Sequence, residues 1–228
     1  MIIELFGLSN TGKSYLKKKL EEKEHLVVKI EEISSFVKFI YLLKYLMKHP
    51  ITSIYLFYSL NNNHLTLDTL SINKRIRILK MRNSYFAFVL SKYEQIKNKK
   101  ENIFIDEFSH QALFMIIQNK SSEKELKKII KRLPEPDALL LFEKSKEKRH
   151  KSYKKPHPFK QGASHYPGSW IDKKYAKEWM AAMEHNFEII KKIIQEKAEK
   201  DDSFFPALKL NLPKDYIRDI KISTYKLL

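Results

Sequence analysis

The sequence predicts an α/β fold, a three-layer αβα sandwich around a mostly parallel sheet of five strands. Short apolar runs of strand length alternate with longer segments that carry apolar residues at helical spacing. The first apolar run also ends at a glycine-containing turn that opens a basic helix, as in many open α/β sheets. No internal repeat or change in composition divides the chain, so we expect a single domain over residues 1–228.

Five runs are predicted to be strands because each is short, apolar and bounded by polar residues or proline. They are Met1–Phe6, His25–Ile30, Asn102–Phe108, Ala138–Phe142 and Ala207–Leu212. The second run ends in Glu31 and Glu32, and the third carries Asp106 and Glu107 near its end. Carboxylates at strand ends are expected at the edge of the sheet where ligands bind.

Seven helices are predicted from apolar residues that recur every three or four positions. They cover Ser14–Lys23, Ile33–Lys48, Ile51–Leu60, Ile72–Lys97, Gln111–Asn119, Glu123–Arg132 and Tyr175–Lys200. Pro50 separates the second helix from the third, since proline cannot donate a hydrogen bond inside a helix. The predicted core residues of the last helix are Trp179, Met183, Phe187, Ile190 and Ile194. The type of the final element, Tyr216–Leu228, does not follow from the pattern.

Composition narrows the classes of function. The chain has 228 residues and no cysteine, which excludes disulfides, thiolate metal sites and cysteine nucleophiles. Four histidines, His110, His150, His157 and His165, have spacings that match no zinc signature. The N-terminal residues lack the pattern of a secretory signal, and the longest apolar tract, Ile33–Met47, is too short to span a bilayer. We therefore expect a cytoplasmic protein.

The formal charge of +17 favours anionic partners, which include nucleotides, nucleic acid and an anionic membrane surface. Lysine dominates this charge, with dense runs at Lys97–Asn102 and Lys144–Lys155. The alternative is that lysine simply covers the solvated surface of the protein. Nucleic acid is not the favoured partner, because the sequence shows no array of basic and aromatic residues typical of single-strand binding.

The stretch GLSNTGKS, residues 7–14, fits the phosphate-binding pattern G-x-x-x-x-G-K-[ST], or Walker A, at every fixed position. The two glycines would let backbone N–H groups turn toward phosphate oxygens. Lys13 would reach the β- and γ-phosphates, and the Ser14 hydroxyl would ligate Mg²⁺. The predicted nucleotide-binding residues are Gly7, Asn10, Thr11, Gly12, Lys13, Ser14 and Tyr15. The sequence therefore predicts a site for ATP and Mg²⁺.

A phosphate-binding loop needs a second oxygen ligand for the metal, at the end of a neighbouring buried strand. Asp106 directly follows the apolar run Ile103–Ile105, which is typical of a strand buried on both faces. We predict Asp106 as the Mg²⁺ carboxylate, directly or through water. The alternative is an ordinary solvated strand end.

In this order along the chain, the motifs resemble those of nucleoside and nucleotide kinases of the P-loop NTPase fold, most nearly thymidylate-kinase-like proteins. Beside the loop and the Asp106 strand, the stretch PDALLLFEKSKEKRHKSYKKPHPF resembles the strand and basic lid of that group. The resemblance covers nearly the whole chain. It implies a helical acceptor-side region at about residues 33–100 and a lid at about residues 144–168. Thymidylate kinases usually show Asp-Arg where this chain has Asp106–Glu107, and in that family the arginine engages the acceptor phosphate. The resemblance therefore leaves the identity of the acceptor open.

The lid has a mechanical purpose, because a basic segment that closes over ATP excludes water and offsets phosphoryl charge. Arg149 is the only arginine in Lys144–Lys155, and its planar guanidinium suits phosphate better than an ammonium does. We predict Arg149 as a catalytic residue, followed by Lys148 and Lys151. The alternative is a solvated run of charge.

The chemistry of the acceptor remains open between two classes. A hydroxyl acceptor would need a carboxylate base, for which Glu32 and Glu107 are the candidates and Glu31 is a neighbour. A phosphate acceptor would instead be held by arginines. The candidates are Arg75, Arg77 and Arg82, of which the first and last share one helical face.

Gln111 is a further candidate on the acceptor side, because its amide could bond a base or a sugar. We expect it to converge with the Glu31–Glu32 strand end and the Arg75–Arg82 face beside the phosphate-binding loop, at the carboxyl edge of the sheet.

Three classes of function follow from the motifs. The first is an ATP-dependent kinase that phosphorylates a nucleotide, a nucleoside or another small acceptor. The second is a polynucleotide 5′-hydroxyl kinase or another nucleic-acid-directed ATPase, and the third is a nucleotide-binding switch without kinase activity. The lid favours a kinase over a switch, because a switch has no need to shield the γ-phosphate from water.

The apolar segment Ile33–Leu60 permits two interpretations. Phe36, Ile40, Leu43 and Met47 lie on one stripe, and a buried helix is the favoured explanation. Because lysines flank the stripe, it could instead dock on a membrane surface or cover a lipid-linked or saccharide acceptor. A homodimer is also compatible with the sequence.

Overall fold

The computed structural model describes residues 1–8, 11–23, 25–28, 35–62, 71–106, 108–117, 119–145, 173–204, 210 and 212–227. Its strands are β1 (Ile2–Gly7), β2 (Leu26–Val28), β3 (Ile103–Asp106), β4 (Ala138–Glu143), β5 (Ala198–Lys200) and β6 (Lys221–Leu227). Its helices are α1 (Lys13–Glu22), α2 (Ser35–Lys48), α3 (Pro50–Asn62), α4 (Ile72–Ile96), α5 (Ser109–Ile116), α6 (Glu123–Ile130), α7 (Lys173–Lys197) and α8 (Lys214–Asp219).

The strands form one mixed sheet in the order β2-β3-β1-β4-β6-β5. β2, β3, β1 and β4 are parallel, whereas β6 runs antiparallel to β4 and β5 runs antiparallel to β6. The first strand of the chain thus lies inside the sheet, between β3 and β4, and every residue of it is buried. The carboxyl ends of these four parallel strands all lie at the same edge of the sheet.

The predicted α/β class is confirmed, but the strand count is corrected. The described part of the chain forms six strands in a mixed sheet, where five mostly parallel strands are predicted from the sequence. Residues 198–200, predicted as the end of a helix, form β5, and the C-terminal element contains α8 and β6. The predicted strand over residues 207–212 lies largely outside the described residues, and Leu210 and Leu212 are not in a strand.

Helices cover both faces of the sheet. On one face, Leu16 and Leu20 of α1 pack against the strands. On the other face, α4, α5 and α7 form the larger apolar core together with buried residues of α2 and α3. The predicted core face of the last helix is confirmed. Trp179, Phe187, Ile190 and Ile194 are buried, and Met183 packs against the core partly buried.

The favoured burial of the apolar face of α2 is wrong. Eight large apolar residues of α2 and α3 are exposed, and we call them the apolar stripe: Phe36, Phe39, Ile40, Leu43, Met47, Ile51, Ile54 and Tyr58. Met47 and Ile51 are the most exposed, at 82% and 83%. The face that enters the core instead carries Tyr45 and Leu56. Among the described helices, none is long and apolar enough to cross a membrane.

Candidate functional site

The glycine-containing loop connects β1 to α1 at the carboxyl edge of the sheet. A Cβ atom on Gly7 would lie 2.7 Å from the carbonyl oxygen of Phe142 and 2.9 Å from its Cβ, so only glycine fits beside β4. Gly12 is the N-cap of α1 in the left-handed conformation, with φ 94° and ψ 1°. Residues with a side chain are strained in that conformation. Both glycines of the motif are therefore required by the backbone.

Lys13 folds back over this loop. Its Nζ donates hydrogen bonds to the carbonyl oxygens of Gly7 at 2.6 Å and Leu8 at 3.0 Å, and the residue is only 9% exposed. The hydroxyl of Thr11 donates to the same Leu8 carbonyl at 2.7 Å. These bonds shape the loop and hold a cation at the end of β1.

The N-terminus of α1 carries no negative charge of its own. Its N-cap residue, Gly12, has no side chain to cap this end, and the first turn contains no acidic residue. Ser14 and Tyr15 are exposed at this end. The positive end of the helix dipole favours negative charge, as does an ammonium beside it. The loop thus combines a helix N-terminus, the Lys13 cation and the Ser14 hydroxyl, and binding of a phosphate and Mg²⁺ by these groups stays a prediction.

Asp106 closes β3 and pairs in register with Leu5 of β1, two residues before Gly7. Its carboxylate is half-buried, and Oδ1 is shielded from solvent without a hydrogen-bond partner among the described residues. A buried carboxylate oxygen is costly unless a donor or a cation meets it. The strand end predicted to hold a metal thus contains an acceptor that a cation would satisfy.

The residues at this edge fit Mg²⁺ in particular. Mg²⁺ takes oxygen ligands and is commonly held by one or two protein groups together with substrate phosphates and water. The Asp106 carboxylate and the Ser14 hydroxyl are ligands of that kind. No group of three or more histidine, aspartate or glutamate residues able to hold a metal occurs in the described part of the chain.

A buried glutamate on β1 links the sheet to α5, and sequence analysis missed it. Glu4 has no exposed surface, and its Oε2 accepts hydrogen bonds from the hydroxyl of Ser109 and the backbone N–H of His110, both at 3.2 Å. Nδ1 of His110 lies 2.9 Å from the same oxygen, and Oε1 accepts from the backbone N–H of Gln111 at 2.8 Å. The only sequence signal was an acidic residue inside an otherwise apolar strand.

Gln111 extends this network to the glycine-containing loop. Its side-chain Oε1 accepts a hydrogen bond from the backbone N–H of Gly7 at 3.0 Å. The predicted proximity of Gln111 to the loop is therefore found, and the contact is made to the loop backbone. Glu4 and Gln111 together connect the start of α5 to the start of the loop. Contact with an acceptor base or sugar stays a prediction.

The two arginines predicted to share one face of a helix lie on α4. Arg82 is 1% exposed and Arg75 is half-buried, and Ile78 between them is fully buried, so this face of α4 points inward. A guanidinium keeps its charge when it is buried. Helix α4 packs against α2 and α5. The assignment of both arginines to an acceptor phosphate stays a prediction.

Several predicted site residues lie outside the described residues. They are Asn10, Glu31, Glu32, Glu107 and Arg149, together with most of the predicted lid. Their predicted roles as loop residue, bases and lid arginine therefore stay predictions.

Comparisons with protein-family models, with curated proteins and with solved structures found no match to this chain.

Proposed function

We propose that this protein is an ATP- and Mg²⁺-dependent phosphotransferase that acts on a small acceptor. The observation that carries the proposal is the position of Lys13, whose ammonium is buried against the carbonyls of Gly7 and Leu8 at the N-terminus of α1. Asp106, with its shielded Oδ1, ends the adjacent strand. The order of motifs along the chain, which resembles that of nucleoside monophosphate kinases, adds to this support.

The roles of the residues follow from their chemistry. Backbone N–H groups of the loop and the Lys13 ammonium would bind the β- and γ-phosphates and stabilise the negative charge of the transferring group. Ser14 and Asp106 would hold Mg²⁺, which supplies positive charge against the phosphate oxygens when it is bound. To reach the phosphates, Lys13 must exchange at least one of its carbonyl bonds for phosphate oxygens.

Transfer requires one bond to form and one to break. An acceptor oxygen bonds to the γ-phosphorus as the bond from that phosphorus to the β–γ bridging oxygen breaks, which leaves ADP. A hydroxyl acceptor loses a proton to a carboxylate, for which Glu32 and Glu107 are the candidates. A phosphate acceptor is already ionised and needs cations, for which Arg75 and Arg82 are the candidates. By resemblance, thymidylate or a related nucleoside monophosphate is the leading acceptor.

The experiment is ADP release at fixed ATP·Mg²⁺ with a panel of nucleosides, nucleoside monophosphates, sugars and a 5′-hydroxyl oligonucleotide. We expect stimulation by a small acceptor. Stimulation by the oligonucleotide alone would instead identify a polynucleotide kinase, for which the +17 charge is the supporting feature. Tight ATP binding without stimulation by any acceptor would identify a nucleotide-binding switch.

Lys13→Ala is the matched test of the site, with the exposed Lys18→Ala on the same helix as control. Loss of the phosphate-binding cation should lower the rate of ADP release by roughly a hundredfold or more, with the circular dichroism spectrum unchanged. The control should keep the wild-type rate. A Lys13→Ala protein that releases ADP at the wild-type rate would contradict the assignment of the loop.

A further inference from the structure

We propose that the apolar stripe on α2 and α3 docks this protein on the surface of an anionic membrane. This inference is independent of the proposed function. The stripe runs along both helices at spacings of three and four residues, from Phe36 to Tyr58. A contiguous exposed apolar face of this kind is rare on a protein that has no partner for it.

The stripe is held outward by a fixed scaffold. On the opposite side of the same helices, Tyr45 and Leu56 are buried in the larger core, and the ring of Phe57 meets that of Phe86 on α4 at 5.2 Å. Across the joint between the helices, the backbone N–H of Ser53 donates to the carbonyl of His49 at 2.9 Å. The exposed residues therefore cannot turn inward without loss of core packing.

Charge decides which partner fits the stripe. Helices α2 and α3, residues 35–62, contain three lysines and no acidic residue. Lys44 and Lys48 are exposed on α2 beside the stripe, and Lys48 also lies 3.6 Å from a carboxylate oxygen of the buried Glu94 on α4. A second copy of the chain would bring two basic surfaces together, which is repulsive. An anionic bilayer offers negative headgroups to the lysines and an apolar boundary to the stripe, and amphipathic helices with basic flanks bind such surfaces.

The protein would lie on the membrane, with the two helices in the interface plane. Phe36, Met47 and Ile51, all more than 70% exposed, would enter the boundary between headgroups and acyl chains. Helix α1 lies on the other face of the sheet, so its lysines would point away from the bilayer.

The experiment is co-sedimentation of the full chain with phosphatidylcholine vesicles that either contain or lack phosphatidylserine, at physiological salt. We expect binding to the anionic vesicles and little to the neutral ones. Met47→Gln/Ile51→Gln should weaken binding at least about tenfold, because two apolar side chains no longer enter the interface. Both positions are exposed, so the fold should be kept. The matched Met47→Leu/Ile51→Leu protein should bind within about twofold of wild type.

A second pair of variants separates local charge from total charge. Lys44→Gln beside the stripe should weaken binding about fivefold, because a lysine near an anionic surface contributes about 1 kcal/mol. Lys18→Gln on α1 removes the same charge from the other face of the sheet and should have less than about twofold effect.

Three results would overturn the proposal. The first is no binding of the wild-type chain to phosphatidylserine vesicles. The second is equal binding by the wild type and the Met47→Gln/Ile51→Gln protein, which would show that the net charge of the protein, and not the apolar stripe, drives binding. The third is a wild-type dimer in sedimentation equilibrium that this double variant dissolves, which would assign the stripe to a second copy of the chain.

Discussion

At the scale of single residues, the site contains two kinds of polar group: those that are hydrogen-bonded within the protein and one, on Asp106, that has no donor among the described residues. Lys13 and Thr11 satisfy loop carbonyls within the protein, whereas Asp106 Oδ1 is shielded without a donor among the described residues. A satisfied group shapes the site in the absence of ligand. A shielded acceptor without a donor stores unfavourable desolvation free energy that a bound cation would relieve.

Asp106→Asn tests this interpretation. Replacing the charged oxygen by an amide removes the attraction for a cation, so we expect lower activity that is partly restored by raised Mg²⁺. We also expect that Mg²⁺·ATP raises the melting temperature of the wild type more than that of the variant, since ligands stabilise the state that binds them. Thermal shift and ADP release measure the two effects. Wild-type activity and an equal thermal shift in the variant would exclude Asp106 as a metal ligand.

At the scale of elements, long-range polar contacts position the start of α5 on β1. The Glu4 carboxylate accepts two backbone N–H groups from the first turn of this helix. It therefore acts as an N-cap supplied by a distant strand, in a fully buried location. Because Gln111 of the same turn accepts a hydrogen bond from Gly7, a shift of α5 would move the glycine-containing loop.

Glu4→Gln should destabilise the protein by about 2 to 4 kcal/mol. In the wild type, both carboxylate oxygens of Glu4 accept hydrogen bonds from buried donors. The NH₂ group of glutamine is itself a donor, so it would leave some of these buried donors without an acceptor. The free energy of unfolding in urea measures this effect. Glu101→Gln, at an exposed position, is the matched control and should be near neutral. If both substitutions had equally small effects, the buried network would not be the link between β1 and α5.

Helix α6 is tied to α7 by ion pairs whose contribution depends on pH. Hydrogen-bonded pairs with Lys127 and Lys192 lower the pKa of Glu123 from its usual 4.5 to about 2. Because the pKa is lower in the folded state, this group stabilises the fold above pH 4.5, and the contribution is lost as the pH falls toward 2. The pairs are exposed to solvent, so salt should weaken them.

Glu123→Gln should therefore lower the melting temperature slightly at pH 6 and low salt, and have no effect near pH 2. Melting curves of the wild type and the variant over this range measure the difference. A difference that is the same at both pH values, or that is insensitive to salt, would show that the ion pairs do not stabilise the fold.

At the scale of the whole molecule, the net charge of +17 attracts any polyanion. We expect an oligonucleotide to bind in an electrophoretic shift assay at low salt and to be released at about 0.2 M salt. Each contact with a phosphate releases bound counterions, so the affinity falls steeply as the salt concentration rises. ADP release should not respond to it. Binding that persists at high salt and stimulates ADP release would instead support a nucleic acid substrate.

Local sequence patterns predicted the glycine-containing loop and most of the strands. The features that they did not predict depend on contacts between segments that are distant in the sequence. Residues 7–14 form a motif whose glycines, lysine and serine define a loop without reference to other segments, and the apolar runs of β1, β3 and β4 identify strands on their own. β5 has no apolar pattern, because pairing with β6 is what makes it a strand. The periodicity of α2 indicated which residues share a face, but whether another element covers that face depends on packing.

The central position of β1 has a consequence for synthesis on the ribosome. This strand is made before both of its neighbours, since β3 and β4 begin only at Ile103 and Ala138. The partners of Glu4 are 105 to 107 positions further along the chain. A nascent chain that ends before them cannot bury β1 with its carboxylate satisfied. Strand β1 must therefore wait, unpaired, until at least residues 103–111 have been made, and its apolar residues are open to chaperones or to aggregation during that time.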